Sequence, residues 1–181
     1  MARFPLVAES EASDLLVVAV YNEIRQELGF GMVPNIFKSM AISPGLLRAH
    51  WDKFRATILR GSLPRTIKEM VGVLISRANG SVYACSVHLH GLSVLGVADE
   101  VLEMLVADWQ NCPLPEREKD ILRFGLLAGT DALRLTDADF AILRAHDLSD
   151  AEIFEIVATA DLFASVNVYT DSADVEVDQL A

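Results

Sequence analysis

The feature that most narrows the fold is a negative one: no run of the chain alternates convincingly with period two, and its Gly and Pro residues fall between windows of helical spacing. Without that alternation no half-buried strand can turn one face to a core. The expected fold is therefore all-α. Ser13 or Asp14 can cap a first helix running to about Leu28, with Leu15, Val18, Tyr21, Ile24, Arg25 and Leu28 at helical spacing. Gly29 and Gly31 stop it, and Val33-Pro34-Asn35 restarts a short helix through Met40. Ser43-Pro44 opens a helix carrying Leu46, Leu47, His50, Phe54, Thr57 and Ile58 on one face, closed by Gly61.

Leu63-Pro64 opens the next helix, to Ala78, and Asn79-Gly80 ends it. Ser81 can cap a helix to about Leu95, and Asp99–Asp108 forms another after Gly96. Leu114-Pro115 opens a helix to Ala128, and Thr136 caps a short one. Ser149-Asp150-Ala151-Glu152 has capping-box spacing for a helix to about Val168. Residues 1–10 read as extended and 171–181 as a loose acidic tail.

The chain also repeats a pattern. Leu63-Pro64 followed by Gly96-Val97-Ala98-Asp99-Glu100 is matched by Leu114-Pro115 followed by Leu148-Ser149-Asp150-Ala151-Glu152. This implies one domain over 1–181 with N-terminal helices at 1–62, a first repeat at 63–110 and a second at 114–170.

With 181 residues, a core needs no staples. The apolar fraction of 52% with few aromatics suggests buried helix faces and a subunit interface. A net charge of −11, from 15 basic and 26 acidic residues, repels phosphate backbones and anionic lipid. Neither nucleic acid nor a membrane surface is an expected partner. The apolar run Leu15–Tyr21 is too short to span a bilayer, and no charged-then-apolar leader opens the sequence. Two cysteines, Cys85 and Cys112, make no disulfide framework, so the chain reads as cytoplasmic.

The reactive side chains concentrate in Glu69–His90, which holds Tyr83, Cys85, His88 and His90. On a helix capped by Ser81, the residues Ser81, Ala84, Cys85 and His88 share one stripe. Cys85 and His88, three apart, can touch, and a thiol early in a helix beside an imidazole forms a thiolate more easily. Glu69 sits among Met70, Val73 and Leu74 on the preceding helix. A turn at Asn79-Gly80 can fold it against His88, making an acid/base pair.

Each has a plainer reading. Cys85 can be a small buried hydrophobe. Glu69 and His88 can be a structural hydrogen bond. His90 falls off the stripe, Cys112 lies in a linker, and His50 and His146 read as isolated, His50 as packing beside Trp51. Cys-x-x-His-x-His is not a common zinc spacing, no Ser elbow is present, and no Gly-rich loop cradles phosphate. Neither a metal nor a cofactor is expected.

These residues resemble a known family. Leu63-Pro64-Arg65, Glu69, Ser76-Arg77-Ala78-Asn79-Gly80, Tyr83, His88 and Gly96-Val97-Ala98-Asp99-Glu100 are similar to the carboxymuconolactone decarboxylase family, in its alkylhydroperoxidase D-like, peroxidase-related branch. Glu23-Ile24-Arg25, Val33-Pro34-Asn35-Ile36-Phe37, Ser43-Pro44 and Leu122-Arg123-Phe124 extend the resemblance over nearly the whole chain. It implies an all-helical, duplicated fold and a homo-oligomer, commonly a trimer or hexamer. It also implies hydroperoxide reduction by a Glu, a Cys-x-x-Cys pair and a His. Glu69 and His88 fall on that Glu and His; the two Cys positions are Ser81 and Ala84, and Tyr83 stands where some members have a second His. The branch's late Phe-Asn-x-x-Asn-Arg keeps only Phe163 and Asn167.

A disulfide cycle needs two thiols, and Ser81 and Ala84 supply none. Three functions follow: a peroxidase-related oxidoreductase working on Cys85 alone, a cofactor-free Glu69/His88 acid/base enzyme on a small acid or lactone, or a non-catalytic oligomeric binding protein. Glu69, Tyr83, Cys85 and His88 are the candidate catalytic residues.

Overall fold

The computed structural model describes residues 2–179, and among these there is no strand. The helices are α1 (Leu15–Glu27), α2 (Asn35–Met40), α3 (Pro44–Phe54), α4 (Arg65–Ala78), α5 (Val82–Val94), α6 (Asp99–Asp108), α7 (Glu116–Thr130), α8 (Asp137–Ala145) and α9 (Asp150–Ala173). A π turn, Arg55–Leu59, prolongs α3, and short 3-10 turns follow α6 and α7.

The centre of the molecule is α4. Every residue from Ile67 to Ser76 is buried, because α5, α7 and α9 pack around it. A helix enclosed on all sides must pair any charge it carries. Lys68 meets Glu155 of α9 at 2.7 Å, and Glu155 also accepts the Ser62 amide at 2.9 Å. The second charge, Glu69, belongs to the site below. Gly72 stands inside α4, not at a turn, because Phe163 of α9 crosses there and a Cβ would overlap its ring.

Asp14 caps α1 through the Leu16 and Val17 amides, and Thr136 and Ser149 form capping boxes. The inward stripe of α1 is Val17, Val20, Tyr21, Ile24 and Leu28; Leu15 faces solvent at 86% exposure and Val18 is exposed. The run Leu15–Tyr21 is apolar on every side, so spacing alone could not fix its phase. In α3 the buried positions are Leu47, Trp51 and Phe54, and Leu46 is exposed. Glu23 Oε2 ties α1 to α3, accepting the Trp51 indole at 2.9 Å and the guanidinium groups of Arg48 and Arg55.

The C-terminal segment is not loose. α9 continues past Val168 to Ala173, and Val175 and Asp178 are buried. Asp178 Oδ1 accepts the Asn35 amide at 2.8 Å and the Asn35 side chain donates to Glu176 O at 3.0 Å, so the segment returns to the start of α2. The last two residues of the expected tail lie outside the described ones. His146 is not isolated either: its Nε2 meets Asp120 Oδ2 at 2.7 Å. No helix of the described residues is long and apolar enough to cross a membrane.

Candidate active site

The turn at Asn79-Gly80 sends α5 back along α4, and this sets His88 beside Glu69. His88 Nδ1 lies 2.6 Å from Glu69 Oε2. The other carboxylate oxygen accepts from Arg65 Nε at 3.0 Å, one helical turn back on α4, and Arg65 Nη1 donates to Leu28 O at 3.1 Å. Glu69 is 1% exposed and His88 6%. Burial pushes the Glu69 carboxyl up, but the charges and hydrogen bonds of His88 and Arg65 outweigh it and hold the group below its ordinary value. A carboxylate held as an anion fixes the tautomer of the ring it touches. Nδ1–H points at Glu69, which leaves Nε2 as the atom able to take or give a proton. Phe163 sets its edge against the imidazole, ring centroids 4.5 Å apart.

Glu69 and His88 line a narrow cavity with Phe30, Phe37, Phe54 and Val87. Its volume is about 20 Å³, room for about one water molecule. An acid/base pair in such apolar walls acts with little competition from solvent.

Tyr83 also lines this cavity, but its hydroxyl is committed elsewhere. It donates to Asp178 Oδ2 at 2.7 Å and accepts from the Ile36 amide at 3.0 Å. Burial and the Asp178 carboxylate hold its proton on well above the ordinary value. Burial likewise raises Asp178, against the hydrogen bonds from Tyr83 and Asn35.

Cys85 is half-buried and is not part of the cavity wall. Burial pushes its thiol up, with Arg77 opposing, so the easier thiolate expected from its place in the helix does not arise. Ser81 and Ala84 are both buried. Ser81 starts α5 without capping it through its side chain; the hydroxyl donates instead to Asp171 Oδ1 at 2.7 Å and sits 3.4 Å from Thr170 Oγ1. Cys112 is buried, its Sγ 3.8 Å from Val101 O, and His90 packs edge-on against Phe30. Asn167 accepts from Ser76 Oγ at 3.0 Å, tying α9 to α4.

One cavity residue was read from the sequence as packing only. His50 of α3 lines the same cavity, and its Nε2 is buried with no hydrogen-bond partner. Burial, with the Lys53 charge, pushes the ring down to about 4, so it is neutral at pH 7. The available signal was its register: His50 is one turn from Phe54, which faces the same space. No group of three His, Cys, Asp or Glu among the described residues is placed to hold a metal ion.

The fold is the alkylhydroperoxidase D-like one. An uncharacterised peroxidase-related protein with an alkylhydroperoxidase D core, from Ralstonia eutropha JMP134, superposes with a TM-score of 0.88 at 24% identity, covering 98% of this chain and 93% of its own. A second peroxidase-related protein, from Silicibacter sp. TM1040, gives 0.84 at 23% identity over 97% and 93%. In sequence, the chain is 32% identical over 89 residues to an alkyl hydroperoxide reductase of Mycobacterium tuberculosis. That match covers 49% of this chain and 25% of the relative. No family model matches the chain.

Proposed function

We propose that this protein belongs in function with the peroxidase-related antioxidant proteins and keeps the proton-handling half of their chemistry. Glu69 and His88 act as a buried acid/base pair on the reactive end of a small molecule whose body lies outside the narrow cavity they line. The observation that carries this is the 2.6 Å Nδ1–carboxylate contact on the wall of an apolar cavity to which Cys85 does not contribute. His88 Nε2 takes the proton from substrate, and the Glu69 carboxylate stabilises the imidazolium that forms. Tyr83 shapes the wall and ties it to the C-terminal segment. The test is deuterium exchange into a panel of small lactones and ketones in D2O, followed by NMR. The expected exchange is lost in His88→Gln and kept in Cys85→Ser; exchange no faster than buffer across the panel sinks the reading.

The relatives, an alkyl hydroperoxide reductase and two peroxidase-related proteins, support a second reading, hydroperoxide reduction, which in this chain would fall to Cys85. Its thiolate would take one oxygen from the hydroperoxide, releasing an alcohol and leaving a sulfenic acid. Two equivalents of an external thiol would then return the sulfenic acid to thiol, with water and a disulfide as products. The raised thiol and the missing partner at Ser81 and Ala84 weigh against it. Cys85→Ser should then abolish thiol-dependent peroxide loss.

A cytoplasmic homo-oligomer, trimer or hexamer, is part of the same proposal. It is supported by large apolar side chains left at the surface, among them Leu15, Leu133 and Phe154. Light scattering on a sizing column decides it.

A further inference from the structure

The narrow cavity beside Glu69 and His88 is too small for an organic substrate, so most of any such molecule must lie outside it. A second, wider space of about 510 Å³ opens between α3 and α9, bounded by Phe4, Met40, Ile42, Leu46, Lys53 and Tyr169. The two spaces share one residue, His50. Its Nε2 is the one buried ring nitrogen among the described residues left without a partner, and a buried polar atom of that kind stays unsatisfied at a cost unless something binds it. The Phe37 ring, at 5.9 Å between centroids, backs the imidazole on the inner side.

We propose that this outer groove is the substrate-binding site, and that His50 is its specificity-determining residue, hydrogen-bonding the single polar head of an uncharged, apolar-bodied small molecule. Three observations fix that chemistry. The walls are aliphatic and aromatic, which suits an apolar body. The rim cation, Lys53, is already paired with Asp161 at 2.7 Å, so no free charge awaits an anion there. The chain's net charge of −11 further disfavours anions. His50 lines both the groove and the inner cavity, and in this proposal a head bound at its Nε2 is presented toward Glu69 and His88. The inference rests on the acid/base reading for what happens next, but not for binding itself.

The test uses cumyl alcohol, an unreactive aromatic alcohol, titrated into the full chain and followed by ligand-observed NMR. Saturable binding is expected, weakened about tenfold by His50→Phe and by Leu46→Asp. Leu46 is 69% exposed, so its variant tests the groove without disturbing the core. Benzoate, an anion of similar size, should bind at least about tenfold more weakly than cumyl alcohol. Deuterium exchange is measured separately on the same parent chain, so a failure of proton transfer is distinguishable from a failure of binding. No saturable binding to the parent chain overturns the proposal. So does either groove variant, shown by circular dichroism to be folded, that binds as tightly as the parent. Benzoate binding equal to the alcohol overturns the assignment of an uncharged ligand.

Discussion

Two positions on α5 hold their polar side chains in opposite ways. At mid-helix His88 is bound to Glu69 by one ring nitrogen and sits on a cavity wall. At the N-terminal end Ser81 is bound to Asp171 and Thr170 of α9, and Ala84 is fully buried. The first position is arranged around a space and the second around another helix. The difference teaches that the positions which the family resemblance gives to a redox dithiol have been taken into the packing of this molecule. Ser81 now contributes to holding α5 on α9, and Cys85, one residue past Ala84, keeps its proton against a half-buried wall.

That contrast can be broken in order of expected effect. At the cavity position, Glu69→Ala leaves His88 and Arg65 facing a buried space without their anion. It should cost about 3–5 kcal/mol in urea unfolding, and a loss under about 1 kcal/mol would mean the pair is not a buried ion pair in solution. Gly72→Ala drives a methyl into the Phe163 ring that rests on His88. About 1–3 kcal/mol should be lost, and the His88 ring resonances should shift; unchanged resonances would separate Phe163 from the site. At the other position, Ser81→Ala removes a hydrogen bond to the exposed Asp171 and should cost about 1 kcal/mol, with no effect on turnover.

The acid limb of stability sharpens the comparison further. Glu69 is held below its ordinary value in the fold, so its contribution is present above the usual carboxylate range and lost as pH falls through the folded value. Asp178 is raised, and its contribution has the opposite sign, present in acid and lost as pH rises through its folded value. Melting temperature against pH should therefore flatten on the acid side in Glu69→Gln and steepen in Asp178→Asn. Identical profiles in both variants would contradict the assigned shifts. The smallest effect is Cys85→Ser, expected to change stability by no more than about 0.5 kcal/mol.

Much of this was legible in the residues. Helical spacing, the Leu-Pro openings and the Asn79-Gly80 turn set the order of helices, and that turn brings Glu69 and His88 together. Three things were hidden for physical reasons. The phase of α1 was ambiguous because Leu15–Tyr21 is apolar on all sides. The docking of the C-terminal segment depends on one carboxylate, Asp178, meeting a tyrosine and an amide from distant parts of the chain. No local pattern encodes such a meeting, and an acidic run reads as solvated. His50 looked like packing because its role comes from two spaces it adjoins, not from a neighbour in sequence. The environment of Cys85 was misjudged for a related reason. Position early in a helix favours a thiolate, but burial against the core raises the thiol, with the Arg77 charge opposing it.

The most direct measurement of the central claim is a count of free thiols. The chain is exposed briefly to stoichiometric cumene hydroperoxide and then titrated in denaturant. If the working centre is the Glu69–His88 pair and not sulfur, both cysteines, Cys85 and Cys112, remain titratable. Loss of one thiol per chain, abolished by Cys85→Ser, would contradict the account.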